Sequence, residues 1–263
     1  MSFYLLQNHL RICDYKQRMS IAENIAEIEE RILKSCGRAA RERGEITLMG
    51  VSKFVPFSLI KEAYGCGIRC FGESRVKEAL EKFGEVNNGA RDFSQPRNCF
   101  NEFELHLIGS LQRNKAKQAV MLFDCVQSVD REELAAELVK HSHVRETPLK
   151  VLLELRTGED SKSGFTDIDD LFKSAEIICG CEKLLPAGLM TMAPFTKDAA
   201  MIRASFRKLK KAQNELEKRF AGADWKCLSM GMSNDYEIAI EEGSTMLRIG
   251  SAIFKENISK EHK

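Results

Sequence analysis

Short apolar runs alternate with amphipathic stretches along most of the chain, and this alternation predicts a β/α fold. From about Tyr15 to Arg43, Ile21, Ile25, Ile28, Ile32 and Leu33 form one stripe among charges, which predicts a helix ended by Gly44. A first strand over Ile46–Ser52 runs to Lys53, and Pro56 opens a helix to about Tyr64. Further strands are expected at Arg69–Gly72, Glu104–Ser110, Cys125–Ser128, Leu149–Leu155, Leu185–Met190, Trp225–Ser229 and Thr245–Ile249. Helices are expected between them, one of them starting at Asp130, which Glu133 would help to cap. Residues 86 to 103 read as an irregular excursion. Eight strands alternating with helices in 263 residues predict a single (β/α)8 TIM barrel with an extra N-terminal helix. An open doubly wound sheet would carry a glycine-rich first turn, which is absent. Residues 1–14 are expected to form an N-terminal extension, with the barrel over 15–263.

Composition narrows the partners. A net charge of +1 and a pI near 7.5 give no global field for nucleic acid or anionic membrane. No apolar run spans a bilayer, and Met1–Leu10 lacks the features of a signal peptide. The nine scattered cysteines form no Cys-x-x-Cys pair and have no histidines at zinc-ligand spacing, so no metal site is expected. Several read as small core hydrophobes, and free thiols in this number point to a reducing, cytoplasmic compartment. Arg203, Arg207, Lys208, Lys210 and Lys211 crowd one helix. Phe206, Leu209, Gln213, Leu216 and Phe220 recur on its other face, so the charges read as a solvated surface.

The candidate chemistry sits at strand ends. Lys53 stands where the first strand gives way to a loop, either as a surface lysine or as an amine poised for a carbonyl. Strand parity places Met49, Val51 and Lys53 inside the barrel, together with Met246, Arg248 and Gly250 of the eighth strand. An inward guanidinium needs an anion or a strong acceptor, and an internal ion-pair network with Glu154 or Glu73 is one alternative. The turns Ser229-Met230-Gly231-Met232-Ser233-Asn234-Asp235 and Arg248-Ile249-Gly250-Ser251 follow the last two strands, where barrels commonly bind phosphate. A lysine, an arginine and a phosphate cradle suggest a phosphorylated aldehyde. Pyridoxal 5'-phosphate (PLP) is the leading case, and a sugar-phosphate lyase working through a lysine imine fits the same parts.

Several ordered motifs resemble those of the PLP homeostasis proteins, the YggS or PROSC-like family, which is related to the N-terminal barrel of alanine racemase. They are Gly50-Val51-Ser52-Lys53, Phe71-Gly72-Glu73-Ser74-Arg75-Val76, His106-Leu107-Ile108-Gly109-Ser110, Ser161-Lys162-Ser163-Gly164-Phe165, Gly188-Leu189-Met190-Thr191, Leu228-Ser229-Met230-Gly231-Met232-Ser233 and Arg248-Ile249-Gly250. The resemblance runs from about residue 20 to 254. It implies PLP held as an imine on Lys53, with Ser74, Met232, Ser233, Arg248, Gly250 and Ser251 around it. Ser233 and the backbone of Gly250 and Ser251 would hold the phosphate, and Arg248 would face the pyridine nitrogen. It further implies a monomeric carrier or regulator in PLP (vitamin B6) and amino-acid homeostasis, without an assigned reaction, that serves PLP-dependent apoenzymes. A racemase-type enzyme is the alternative. Ser74 stands where the family usually has asparagine, which changes one contact near the cofactor.

Overall fold

The computed structural model describes residues 20–87, 90–92, 103–159 and 163–258. The expected extension over 1–14 and the first residues of the expected N-terminal helix lie outside them. Helix α1 (Ile21–Arg38) opens with a reciprocal cap: Ser20 Oγ accepts from Glu23 N–H, and the Glu23 carboxylate accepts from Ser20 N–H. Its Ile21, Ile25, Ile28 and Ile32 are buried, whereas Leu33, expected on that stripe, is 54% exposed. The helix also stops earlier than expected, and Ala40 adopts a left-handed φ of 50° just past it.

Eight parallel strands close the barrel: β1 (Thr47–Val51), β2 (Cys70–Glu73), β3 (Glu104–Leu107), β4 (Cys125–Val129), β5 (Leu149–Glu154), β6 (Leu184–Met190), β7 (Cys227–Ser229) and β8 (Met246–Ile249). Each pairs with its neighbours in chain order, and β1 closes on β8 with Met49 opposite Arg248. The sequence-predicted TIM barrel is the fold. Helices α2 (Phe57–Gly65), α3 (Val76–Phe83), α4 (Ala116–Leu122), α5 (Glu132–Ser142), α6 (Ile168–Cys179), α7 (Ala199–Arg219), α8 (Tyr236–Glu241) and α9 (Ser251–Ile258) follow the strands in turn. Two differences are local. Arg131, not Asp130, takes the N-cap position of α5, because the Asp130 carboxylate accepts from the Arg131 guanidinium instead. At the start of the expected excursion, which begins at residue 86, residues Glu85–Asn87 and Ala90–Asp92 pair as a small antiparallel hairpin outside the barrel.

The main apolar core lies between strands and helices, where outward residues such as Leu48, Phe71 and Leu247 meet helix residues such as Ile60 and Ile253. On α7 the predicted apolar face is buried at Phe206, Leu209, Gln213 and Leu216, while Arg203 and Arg207 pair with Glu241 and Glu242. The inside of the barrel is less apolar than usual: beside Met49, Met246, Leu152 and Met190 stand Cys70, Cys125, His106, Gln127, Ser229 and Arg248. Gly188 makes this crowding possible. A Cβ there would fall 1.9 Å from the Cys227 carbonyl oxygen, so β6 and β7 approach as only glycine permits. No helix among the described residues is long and apolar enough to cross a membrane.

Candidate functional site at the C-terminal mouth of the barrel

Lys53 sits two residues beyond the end of β1, exposed at the rim. Strand parity therefore does not carry it inside as expected, because β1 has already ended at Val51. Its backbone is nevertheless held on both sides. Buried Ser52 donates its N–H to the Gly72 carbonyl (2.9 Å) and its hydroxyl to Glu73 (2.6 Å), while the Ser52 carbonyl accepts from Lys82 Nζ (2.7 Å) and from Val55 N–H. On the other side Phe54 has a left-handed φ of 59° and donates its N–H to the Glu78 carboxylate. A non-glycine residue in that region is a strained conformation that surrounding contacts must hold in place. Lys82 also pairs with Glu73 and Glu78, so it ties the turn to the start of α3. Burial pushes the Glu73 carboxyl up, and the Lys82 ammonium and Ser52 hydroxyl oppose that shift. Ser74 follows β2 directly, half-buried, with its carbonyl close against Gly109.

Across the mouth, the two predicted turns come together. Ser233 Oγ lies 3.1 Å from Ser251 Oγ and accepts from Ala252 N–H (3.3 Å) at the first turn of α9. Ile253 and Phe254 N–H bond the Gly250 carbonyl, so what this N-terminus offers a phosphate is the Ser233 and Ser251 hydroxyls, the Ser251 N–H and a positive dipole end. Gly250 precedes it, and a Cβ there would lie 3.2 Å from Val51, so the cradle closes on the end of β1. Met232 is half-buried. Its N–H donates to Asp235 (2.6 Å), which fixes the turn that carries Ser233.

Arg248 is buried inside the barrel at 4% exposure, as parity predicts. Its guanidinium donates to Ser229 Oγ (2.8 Å) and to the Thr191 carbonyl (2.7 Å), and neither Glu154 nor Glu73 is among these direct partners. Burial pushes its pKa down to about 10, against the attraction of Asp235 and Glu154, so it remains a cation at neutral pH. Ser229 passes the chain on to the Gln127 amide oxygen (2.6 Å), Gln127 Nε2 meets His106 Nδ1 (2.7 Å), and His106 Nε2 meets Glu104 (3.0 Å). A directed polar chain thus crosses the barrel from Arg248 to its opposite opening. Sequence reasoning missed Thr191, Gln127 and Lys82; inward parity on β4 could have found Gln127.

Glu154 faces the same interior. One carboxylate oxygen accepts from Ser163 (2.8 Å), and the other is buried without a partner among the described residues. Desolvation pushes its pKa up to about 7, opposed by the Ser163 hydroxyl and reinforced by Asp130. An unsatisfied buried acceptor beside a buried cation, under a serine cradle at a helix N-terminus, fits a bound polar heteroaromatic phosphate. Because the folded pKa lies above the ordinary 4.5, the proton is favoured by folding. The stability this gives is complete below about pH 4.5 and is lost as pH rises through about 7. Glu154→Gln is therefore expected to remove this pH dependence and to gain up to about 3 kcal/mol relative to wild type at pH 8 over pH 5. Urea melts of both ligand-free proteins at the two pH values check it, and parallel losses in both would place the titration elsewhere.

This parallel barrel, with a lysine at its rim, a buried arginine inside and two serine turns meeting after its last two strands, matches the family model of the alanine racemase N-terminal domain over residues 21–257. The chain belongs to the pyridoxal phosphate homeostasis protein family. It is 35% identical over 238 residues to the protein of that name from Aquifex aeolicus, covering 90% of this chain and 99% of the relative. The structure of PipY from Synechococcus elongatus PCC7942 with PLP bound superposes with a TM-score of 0.75 at 31% identity, covering 89% of this chain and all of PipY. Alanine racemase from Clostridium difficile 630 shares the fold, with a TM-score of 0.67 at 13% identity, but this chain covers only 56% of it.

Proposed function

We propose that this chain binds PLP at the C-terminal mouth of the barrel, with Lys53 as its covalent anchor, and that it stores and delivers the cofactor within the cell. The observation that carries this reading is the junction of Ser233, Ser251 and Ala252 N–H over buried Arg248. Ser233 and the backbone of Gly250 and Ser251 bind the phosphate, Ser74 and Met232 border the ring, and Lys53 at the rim reaches the aldehyde. Its amine would supply the covalent anchor for that aldehyde. Bound PLP supplies an electrophilic carbon for amines, and the protein decides how far that chemistry goes. A guanidinium facing the pyridine nitrogen disfavours its protonation, which weakens the ring as an electron sink. That suits a carrier or regulator serving PLP-dependent apoenzymes in the cytoplasm, as a monomer.

A racemase needs acid-base groups on both faces of the substrate carbon. Of the described tyrosines, Tyr64 ends α2, on the side of the strand starts, with Arg69 over its ring, and Tyr236 is buried with Arg31 over its ring. Both rings are thus engaged by arginines. The experiment is PLP reconstitution of the purified chain followed by incubation with an apoenzyme that requires PLP. One PLP per chain, transfer to the apoenzyme, and no alanine racemisation above background are expected. Failure to take up PLP, or racemisation at ordinary enzymatic rates, would overturn the reading.

A further inference from the structure

The opposite, N-terminal opening of the barrel holds a cavity of about 1080 Å³, lined by Cys70, Glu104, His106, Cys125, Lys150 and Cys227 among others. The strand starts at this end of a barrel ordinarily serve stability, and an apolar plug would do that better than three thiols beside an imidazole and a carboxylate. Register explains the convergence. Cys70 on β2 pairs with Glu104 on β3, and Gly72 pairs with His106, so all three side chains leave the inner face of adjacent strands. One ligand atom from each of Cys70, Glu104 and His106 lies within 4.8 Å of the other two. Cys70 and His106 are 4% and 2% exposed, and Glu104 is half-buried.

The His106–Glu104 edge suits a small tetrahedral ion, and Cys70 Sγ, within 4.8 Å of both, needs only to draw in toward it. Bond lengths of about 2.0–2.2 Å to nitrogen and oxygen set the two atoms about 3.3–3.5 Å apart across a tetrahedral edge. His106 Nε2 and Glu104 Oε2 are now 3.0 Å apart, joined by a proton. Replacing that proton by the ion opens the gap by only a few tenths of an ångström, with Cys70 Sγ as the third corner. The other Glu104 oxygen accepts from Lys150 Nζ, and Gln127 holds the second nitrogen of His106, so the outer partners that orient such ligands are already present. Lys150 opposes a cation by its charge, but it occupies the oxygen that the ion does not need. Sulfur, nitrogen and oxygen donors together select zinc-class ions over magnesium or calcium.

We propose that Cys70 Sγ, Glu104 Oε2 and His106 Nε2 form a site for a zinc-class divalent ion at the N-terminal opening, with the fourth position facing the cavity. On binding, Cys70 gives its thiol proton to solvent, and the His106 ring proton moves from Nε2 to Nδ1. Gln127 must then turn its amide oxygen toward His106 and its NH2 toward Ser229, so the ion reorders the polar chain that ends at Arg248.

The test is titration of the tag-free full-length protein with Co2+ as the spectroscopic probe. Saturable one-to-one binding is expected, with a thiolate-to-cobalt charge-transfer band in the near ultraviolet that Zn2+ abolishes. Cys70→Ser is expected to lose the band, and His106→Gln or the nearly isosteric Glu104→Gln to weaken affinity at least about 100-fold. A measurement on wild type alone guards against variants that fail to fold: Zn2+ should protect Cys70 from alkylation, mapped by mass spectrometry. Absence of saturable binding, a band that survives in Cys70→Ser, or alkylation of Cys70 at an unchanged rate overturns the proposal.

Discussion

Lys53→Ala is expected to yield a folded protein that takes up PLP without the visible absorption of a lysine imine and loses it on desalting. The side chain is exposed and the turn around it is held by Ser52, Phe54, Glu73 and Lys82 through backbone and neighbouring groups, none of which the substitution removes. Stability should therefore stay within about 0.5 kcal/mol of wild type in a thermal or urea melt. Retention should not. The cradle at Ser233 and Ser251 and the cation at Arg248 remain, so noncovalent binding persists, but removal of the covalent anchor should weaken it at least about 100-fold, or ~2.7 kcal/mol. Lys53→Arg separates charge from chemistry: it keeps a cation at the rim and cannot form the imine, so it should resemble the alanine variant. If Lys53→Ala retained both the absorption and the affinity of wild type, another amine would be the anchor, and the assignment of the rim lysine would fall.

The same lysine shows how far the sequence carries. Periodicity alone places all eight barrel strands to within a few residues, because buried parallel strands between amphipathic helices leave little freedom in pattern. It also puts Arg248 inside, since Leu247 and Ile249 must face the outer helices. Lys53 escapes that logic because β1 ends at Val51, and a two-residue alternation says nothing once the ladder stops. Leu33 misleads for a related reason: it lies beside the helical stripe and, among the described residues, stays exposed. At Asp130 a neighbouring guanidinium, invisible to a capping pattern, competes for the carboxylate. The N-terminal cluster was hidden altogether. Cys70, Glu104 and His106 are brought together by the register of β2 and β3 across 34 to 36 positions of chain, so no ligand spacing marks them, and the scattered cysteines read as core.

Arg248→Ala is the substitution for which site and fold are hardest to separate, and the expected outcome has two parts. Removing the guanidinium strips the Ser229 hydroxyl and the Thr191 carbonyl of their donor in a buried place and leaves a cavity behind. Deserted buried acceptors cost about 1–3 kcal/mol each, offset by the release of a desolvated cation, so a net loss of about 3 kcal/mol in a urea melt is expected. The second part concerns the ligand. Without the cation facing the ring nitrogen, PLP retention should fall about 10-fold even at low temperature, where the variant remains folded. Glu154 supplies an internal control, since Arg248 is one of the charges that draw its proton off. In the variant its pKa should rise above about 7, and the fall in ligand-free stability with pH should move to higher pH. Arg248→Lys keeps the charge but cannot reach Ser229 and Thr191 together in the same fork, so it should restore the pH profile more than the stability. Unchanged PLP affinity in both variants would mean that the guanidinium serves the interior chain through Ser229 and Gln127 alone, with no part in the mouth above it.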